Sequence, residues 1–236
     1  MRKIEVCYTP ELIQLYPLED KVVVVVDVLR ATSCMVAGLA NGVKEVRPVA
    51  SVDAAWEIAK EGYITAGERN GVKVEGFQIG NSPFEHMEMG KSNAKIVQTT
   101  TNGTLAIDKS AYAPHVIIGA MLNVSAVAEY LKKYDHDVII HCAGWKGKYS
   151  LEDSLFAGAL LERLKSDFTI GCDAGLAALT MYNAVKDDIF GFMKTSSHVQ
   201  RLGKLGVIDD IEYCLKEDIF DIVPVLENTA IVVPEQ

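Results

Sequence analysis

The side chains that could do chemistry follow short apolar runs. The run VVVVV at residues 22–26 leads directly into Asp27, and Arg30 comes three residues later. Five consecutive valines predict a strand that is buried on both faces, so the carboxylate at its end needs water, a cation or hydrogen-bond donors. Asp27 could ligate Mg²⁺, act as a nucleophilic carboxylate that forms an acyl-phosphate, or cap the helix predicted from residue 31. For one such aspartate alone, capping is the commoner role.

Further acids and an arginine lie at comparable positions. Glu68 and Arg69 belong to the triplet GER, and Glu152 and Asp153 belong to SLED. The latter two fall in the first turn of a predicted helix, where the helix dipole stabilises carboxylates without any function. A functional site is favoured because these acids and two arginines all adjoin strand exits or glycines. Carboxylate oxygens are also hard ligands, which suit Mg²⁺.

A hydroxyl-rich turn follows the apolar stretch 95–98. It reads TTTNGT and consists of Thr99, Thr100, Thr101, Asn102, Gly103 and Thr104. Hydroxyls, a glycine and the N–H groups of a helix start suit an oxyanion such as phosphate or sulfonate. No GxxxxGK loop is present, so a nucleotide is not implied. The alternative, of about equal weight, is a plain threonine-rich N-cap.

The cysteines and histidines give a weaker indication of chemistry. Five cysteines are scattered and none forms a CxxC pair, which argues against a disulfide framework or a zinc ribbon. His141 precedes Cys142, but neighbours on a strand point to opposite faces, so His141 cannot readily activate that thiol. We predict that Cys142 is buried and unreactive, with a cysteine hydrolase as an alternative. We predict that His198 is a surface or capping histidine.

Composition narrows the class of protein. The 236 residues carry 23 Lys+Arg against 32 Asp+Glu, a net charge of −9, with no basic run, so nucleic acid is not an expected partner. An anionic ligand would need a local reversal of this sign. No apolar run is long enough to span a bilayer, and residues 1–20 lack the long apolar segment expected of a secretion signal. We expect a soluble cytoplasmic protein without a membrane partner; a homo-oligomer is left open.

Short apolar runs alternate with helical patterns, which predicts an α/β fold: an α/β/α layered arrangement with a mostly parallel sheet. The predicted strands are 2–8, 22–27, 45–49, 95–98, 115–119, 137–142 and 229–233, and the predicted helices are 31–42, 51–62, 123–134 and 150–166. Stretch 67–83 is predicted to be a long loop, and 191–206 a second loop leading into a short helix. Residues 1–236 are interpreted as one catalytic unit, with two lobes as an alternative.

Three predicted strands end in polar segments that open helices: DVLRATS, TTTNGT and AGWKGKYSLED. Ligands of parallel sheets bind beyond the carboxyl ends of the strands, so these exits are the expected site. The motifs VVVVDVLRATSCMVAGLANG, GERNGVKVEGFQIGNSP, TTTNGT and CAGWKGKYSLEDSLFAG, in this order, resemble the 2-phosphosulfolactate phosphatase family, as does the segment SHVQRLGKLGVIDDIEYCLKEDIFDIVPVL. That family is known from coenzyme M biosynthesis.

The resemblance implies an Mg²⁺-dependent phosphatase that converts 2-phosphosulfolactate to sulfolactate and phosphate. It implies that Asp27, with Glu68 and one or both of Glu152 and Asp153, holds Mg²⁺. The Thr99–Thr104 turn would bind one anionic end of the small substrate, while Arg30 and Arg69 clamp a carboxylate or sulfonate. Arg201 would join from the second predicted loop, which could close over the site. A non-catalytic binder of such acids, or a hydrolase using Cys142, remains the alternative.

Overall fold

One sheet of eleven strands runs through the protein, and the computed structural model describes residues 2–234. The strands are β1 (Arg2–Cys7), β2 (Lys21–Val26), β3 (Glu45–Pro48), β4 (Ile64–Arg69), β5 (Val72–Lys73), β6 (Lys95–Thr99), β7 (His115–Gly119), β8 (Asp137–Cys142), β9 (Phe168–Ile170), β10 (Val225–Glu227) and β11 (Ala230–Val232). The helices are α1 (Ala31–Ala40), α2 (Val52–Ala59), α3 (Pro83–Gly90), α4 (Gly103–Ser110), α5 (Val124–Lys132), α6 (Leu151–Leu164), α7 (Asp173–Val185), α8 (Ile189–Met193), α9 (Ser197–Gly203) and α10 (Ile208–Cys214).

Two parallel blocks make up most of the sheet. Strands β4, β6 and β3 form one block, and β7, β2, β8, β1 and β9 form the other. The C-terminal hairpin β10–β11 joins them by antiparallel pairing, with Val225 opposite Ile117 and Ile231 opposite Val46. The fold is therefore the predicted layered α/β arrangement with a mostly parallel sheet. A division into two lobes stays a prediction.

The valine run is the centre of this arrangement. Val22, Val24 and Val26 pack into a core with α5, α6 and α7, whereas Val23 and Val25 pack into a core with α1 and α4. All five are fully buried. Helices thus cover both faces of β2, as continuous apolar strands require. Among the described residues, no helix is long and apolar enough to cross a membrane.

The two predicted loops contain regular elements that the sequence did not indicate. Stretch 67–83 contains the end of β4, all of β5 and the bridge between Ile79 and Ala66, while most of its other residues form turns and irregular loop. Stretch 191–206 contains the end of α8 and the whole of α9. Strand β4 and helices α3 and α7 were also missed. Gly67 interrupts the periodicity of β4 and β5 is only two residues long, so tertiary pairing outweighed local propensity in both.

Candidate active site

Asp27 lies at the exit of β2. Its side chain is 8% exposed, and its Oδ1 accepts a hydrogen bond from the N–H of Ala31 at 3.3 Å. The N–H of Asp27 donates to Thr32 Oγ1 at 2.9 Å, which fixes the strand exit against α1. Asp27 therefore accepts the first N–H of α1, in keeping with its predicted capping role, while Arg30 occupies the N-cap position itself. Capping uses Oδ1, whereas Oδ2 lies beside Gly103 of α4.

Gly103 allows α4 to approach this carboxylate. A Cβ at position 103 would lie 2.7 Å from Asp27 Oδ2 and 2.6 Å from Ala31 Cβ, which is closer than side-chain atoms can pack. A glycine is required here by this approach rather than by its backbone angles. As a result, the positive end of the α4 dipole faces Asp27.

Several polar groups of the threonine turn are engaged in hydrogen bonds within the protein. Thr100 Oγ1 accepts from the N–H of Thr104 at 3.2 Å, and Thr104 Oγ1 donates to the carbonyl of Thr100 at 3.0 Å. Asn102 Oδ1 accepts from the N–H of Lys146 at 3.0 Å. Thr101 Oγ1, by contrast, is buried without a partner within residues 2–234. The turn caps α4 and still offers a buried hydroxyl.

Glu68 and Arg69 tie the end of β4 to the same turn. Glu68 Oε1 accepts from the N–H of Thr101 at 2.7 Å, and its Oε2 accepts from the N–H of Gly71 at 2.6 Å. Arg69 donates to Thr99 Oγ1 at 2.9 Å and to the carbonyl of Glu68 at 2.7 Å. Both oxygens of Glu68 are therefore engaged by backbone donors, and Arg69 bonds to neutral acceptors.

The adjacent acids of α6 have different tasks. Asp153 accepts from the N–H of Val28 at 2.9 Å and from the N–H of Gly144 at 3.1 Å, so it holds the exits of β2 and β8 side by side. Glu152 Oε1 lies 2.5 Å from His198 Nδ1. Its Oε2 is buried with no hydrogen-bond partner in the described part of the chain. Together with the Lys146–Asn102 bond, these contacts confirm that the three predicted strand exits meet.

The prediction that His198 is a surface or capping residue is wrong. Its side chain is 14% exposed, it bonds to Glu152, and its ring centroid lies 5.2 Å from that of Trp145. The cap of α9 is Ser196, whose Oγ accepts from the N–H of Val199 at 3.1 Å. The local pattern TSSHVQR gave no indication of this placement, because the contact joins residues 46 positions apart.

Arg30 has a partner that the sequence did not suggest. Its guanidinium forms an ion pair with Asp210 of α10, and Asp210 Oδ1 also accepts from Ser82 Oγ at 2.9 Å. The pair borders a cleft of about 700 Å³ that Lys73 and Phe84 also line. The anion that Arg30 meets in this structure is therefore a carboxylate of the chain itself; its role as a substrate clamp stays a prediction.

Burial and like charges shape the electrostatics of the site. Burial raises the pKa of Asp27 to about 7, opposed by the Ala31 N–H and the positive charge of His198 and assisted by the charges of Glu68 and Glu152. The pKa of Asp153 is also raised well above its ordinary value. Burial is the largest cause, followed by the charges of Glu152 and Asp27. Carboxylates concentrated in this way are costly unless a cation or protons offset them.

The acids suit a hard cation through the chemistry of their donor atoms. Among residues 2–234, no three His, Cys, Asp or Glu side chains form a group that could hold a metal ion. Mg²⁺, however, is commonly bound by one or two carboxylates and keeps several waters. Asp27 Oδ2 and Glu152 Oε2 fit that pattern, whereas Glu68 and Asp153 have both oxygens engaged. The four-acid metal site stays a prediction.

Cys142 and His141 face opposite sides of β8, as predicted. Cys142 is buried in the core on the α6 side, and burial raises its thiol pKa well above the ordinary value. His141 Nδ1 lies 2.7 Å from Ser110 Oγ on α4. A thiol nucleophile activated by this histidine therefore has no support.

The chain resembles known proteins over nearly its whole length. A family model described as 2-phosphosulpholactate phosphatase matches residues 7–229. Relatives named probable 2-phosphosulfolactate phosphatase include one from Caldanaerobacter subterraneus subsp. tengcongensis, 46% identical over 217 residues that cover 89% of this chain and 90% of the relative. The Thermotoga maritima relative is 44% identical over 219 residues, which cover 93% and 95% of the two chains. The Clostridium acetobutylicum relative is 38% identical over 234 residues, covering 96% and 98%.

These matches and the fold define the chain as a phosphoric monoester hydrolase built on a layered α/β scaffold. It belongs to the 2-phosphosulfolactate phosphatase family. The resemblance first drawn from the motifs is thereby confirmed, and the names of the relatives give no support to the binder and cysteine-hydrolase alternatives.

Proposed function

We propose that this chain hydrolyses 2-phosphosulfolactate to sulfolactate and phosphate in a reaction that depends on Mg²⁺. The substrate is supported by the family and by the names of the relatives. The structural observation that carries the proposal is the buried Asp27 carboxylate beside the α4 N-terminus, close enough to Glu152 for the two charges to interact. Carboxylates beside helix N–H donors can hold a cation against phosphoryl oxygens.

In this proposal Asp27 and Glu152 would hold Mg²⁺. When bound, the ion would neutralise charge on the phosphoryl oxygens and offset the repulsion between the carboxylates. Glu68 and Asp153 support the arrangement from outside, since each fixes two backbone N–H groups of the strand exits. Loss of either would displace Thr101 or Val28 and, with them, the reacting group.

The chain's own residues position the phosphate ester. The Thr101 hydroxyl donates to a phosphoryl oxygen, and Arg69 secures the turn through Thr99. Water supplies oxygen to phosphorus while the ester P–O bond breaks, and the second proton of that water ends on the alkoxide of sulfolactate. Direct attack by water and an aspartyl-phosphate on Asp27 both lead to these products. Positioning and charge compensation supply most of the catalysis in phosphoryl transfer.

Phosphate release by metal-stripped protein tests the proposal. Enzyme treated with chelator and dialysed should release phosphate from 2-phosphosulfolactate at least about a hundredfold more slowly, because the carboxylates then repel the dianion. Addition of Mg²⁺ should restore the rate. Undiminished turnover in the stripped protein would rule out the metal. Binding of the ester without release, with Mg²⁺ present, would instead favour a non-catalytic binder.

The proposed location is the cytoplasm. Cys7, Cys34, Cys142, Cys172 and Cys214 are free thiols, and four of them are buried. Thiols persist in compartments that glutathione and thioredoxin keep reducing. Their burial as small apolar side chains fits that environment.

A further inference from the structure

Arg201 on α9 has no hydrogen-bonded or ion-paired partner among residues 2–234. Its Nε and Nη2 atoms are buried, and neither has a hydrogen-bond partner within the described residues. Its guanidinium carbon lies 3.8 Å from the centroid of the Trp145 ring, a stacked arrangement. Buried N–H groups without an acceptor are costly, so we expect a bound group to accept from Nε and Nη2.

The surroundings of Arg201 form a small polar cavity. Its volume is about 300 Å³, and its lining includes Trp145, Lys148, Glu152, Ser197 and His198. Glu152 is the cavity's carboxylate, and its Oε1 is already occupied by His198. Two lysines and an arginine therefore surround the indole once Lys146, 5.2 Å from the Trp145 ring, is counted. These cations lie beside the acids of the site, since the charges of Glu152 and Glu68 both act on Arg201.

The cavity adjoins the phosphate-binding turn. Trp145 and Lys148 close a tight turn through reciprocal backbone bonds of 2.8 and 2.9 Å. Lys146, within that turn, donates its N–H to Asn102 Oδ1 in the TTTNGT segment. The turn that carries the indole is thus hydrogen-bonded to Asn102, the residue before α4.

The other arginines near the strand exits are already bonded. Arg30 is neutralised by Asp210, and Arg69 donates to Thr99 and to the carbonyl of Glu68. In Arg201, by contrast, Nε and Nη2 on one edge of the guanidinium both lack an acceptor within the described residues. The remote-anion role first predicted for Arg30 and Arg69 is therefore better placed on Arg201.

We propose that Arg201, held flat against Trp145, binds the sulfonate of the substrate and sets the specificity of the enzyme. This inference rests on the proposed function. A sulfonate stays anionic at all working pH values and spreads its charge over three oxygens, which suits a planar, weakly hydrated guanidinium with several donors. The indole face contributes cation–π attraction and orients the donors. The phosphoryl group, in contrast, lies at the carboxylates and the α4 turn.

The first test compares two substrates that differ in one group. Arg201→Ala should lower kcat/KM for 2-phosphosulfolactate about a hundredfold, and for 2-phospholactate, which lacks the sulfonate, less than about threefold. Arg201→Lys should give an intermediate loss, because lysine keeps the charge but not the fork. Lys204→Ala, an exposed cation at the end of the same helix, is the matched control and should leave both rates unchanged. Equal losses on the two substrates would overturn the inference and assign Arg201 to the phosphoryl group or the fold.

The second test measures binding without turnover. The chain has two tryptophans, so Trp56→Phe leaves Trp145 as the fluorescent probe. Sulfolactate added to this metal-free protein should change the Trp145 emission, lactate should not, and Arg201→Ala in the same background should abolish the response. No response to sulfolactate would overturn the sulfonate site. If wild-type enzyme with Mg²⁺ fails to hydrolyse 2-phosphosulfolactate, the proposed function is wrong whatever the fluorescence shows, which separates the two failures.

Discussion

Two groups of buried charges lie near the β2 exit, and their hydrogen bonds are satisfied to different degrees. Arg30 and Asp210 form a closed pair, with Ser82 completing the hydrogen bonds of the carboxylate. The acids around Asp27 instead share one side of the molecule with charges of the same sign, and Glu152 Oε2, Thr101 Oγ1 and Arg201 Nη2 have no partners among the described residues.

This difference separates a structural ion pair from groups that are typical of a ligand-binding site. A pair that satisfies itself connects two elements, here the start of α1 and α10, and needs nothing more. Unsatisfied buried groups are retained at a cost in stability, which is typical of sites that bind a ligand. The comparison predicts that substitutions at Asp27 affect turnover, whereas those at Asp210 affect folding.

The largest effect is expected at Asp27. Asp27→Asn should lower kcat by about a thousandfold or more, because the amide cannot hold the cation or compensate charge, while Oδ1 still accepts from Ala31. Phosphate release at saturating Mg²⁺ and far-ultraviolet circular dichroism measure activity and folding. Asp173→Asn, at the exposed N-terminus of α7, is the matched control. A variant that unfolds but whose folded fraction turns over normally would make Asp27 merely structural.

Breaking the closed pair should have the opposite result. Asp210→Asn should reduce the free energy of unfolding by about 3 kcal/mol, since Arg30 is left buried and unpaired. Urea titration measures the loss, and kcat of the folded protein should stay within about threefold of wild type. Replacing both partners, as Arg30→Met with Asp210→Leu, should recover much of the stability. Lost activity at unchanged stability would show instead that Arg30 serves the substrate.

The fold was more predictable from sequence than the site. The apolar runs in β2 and β8 identify these segments as strands. Both faces of each strand are buried, so the run of apolar residues is nearly continuous and easy to recognise. Strand β4 was missed because its inner positions are filled by Thr65, Ala66 and Gly67, where a Cβ on the glycine would meet the carbonyl of Thr99 at 2.4 Å. Small residues are needed there because the neighbouring backbone packs closely. The pattern of apolar residues in the sequence does not reveal this requirement.

The candidate residues on strand exits could be proposed from sequence, and their partners could not. Asp27, Glu68, Glu152 and the threonine turn are candidates because strand ends are where ligands bind in such sheets. Asp210, His198 and Trp145 come from segments whose pairing depends on tertiary packing; Arg30 and Asp210 are 180 residues apart. Whether a carboxylate oxygen is free or already bonded, which separates Glu152 from Asp153, is likewise a property of the folded chain.

The pKa of Asp27 predicts a smaller effect, on stability. Burial raises this pKa from its ordinary value of 3.8 to about 7, so the folded state holds the proton more tightly than the unfolded state. The resulting stability is present below about pH 4 and is lost as pH rises toward 7. In metal-free protein, Asp27→Asn should therefore be more stable than wild type at pH 8, by about 1–4 kcal/mol, and equal to it at pH 4. Thermal unfolding at the two pH values measures this, and an equal difference at both would contradict the burial of an ionisable carboxylate.

The smallest effect is expected at Cys142, which lies beside the acids but faces the core. Its thiol is buried and its pKa is raised well above the ordinary value, so almost no thiolate exists near neutral pH. Cys142→Ala should keep kcat within about threefold of wild type, with a modest loss of stability from the smaller side chain. Iodoacetamide should leave the native enzyme active for the same reason. A thousandfold loss in Cys142→Ala, with the protein still folded, would instead identify Cys142 as a nucleophile. The reaction would then depend on a core residue and not only on the buried carboxylates.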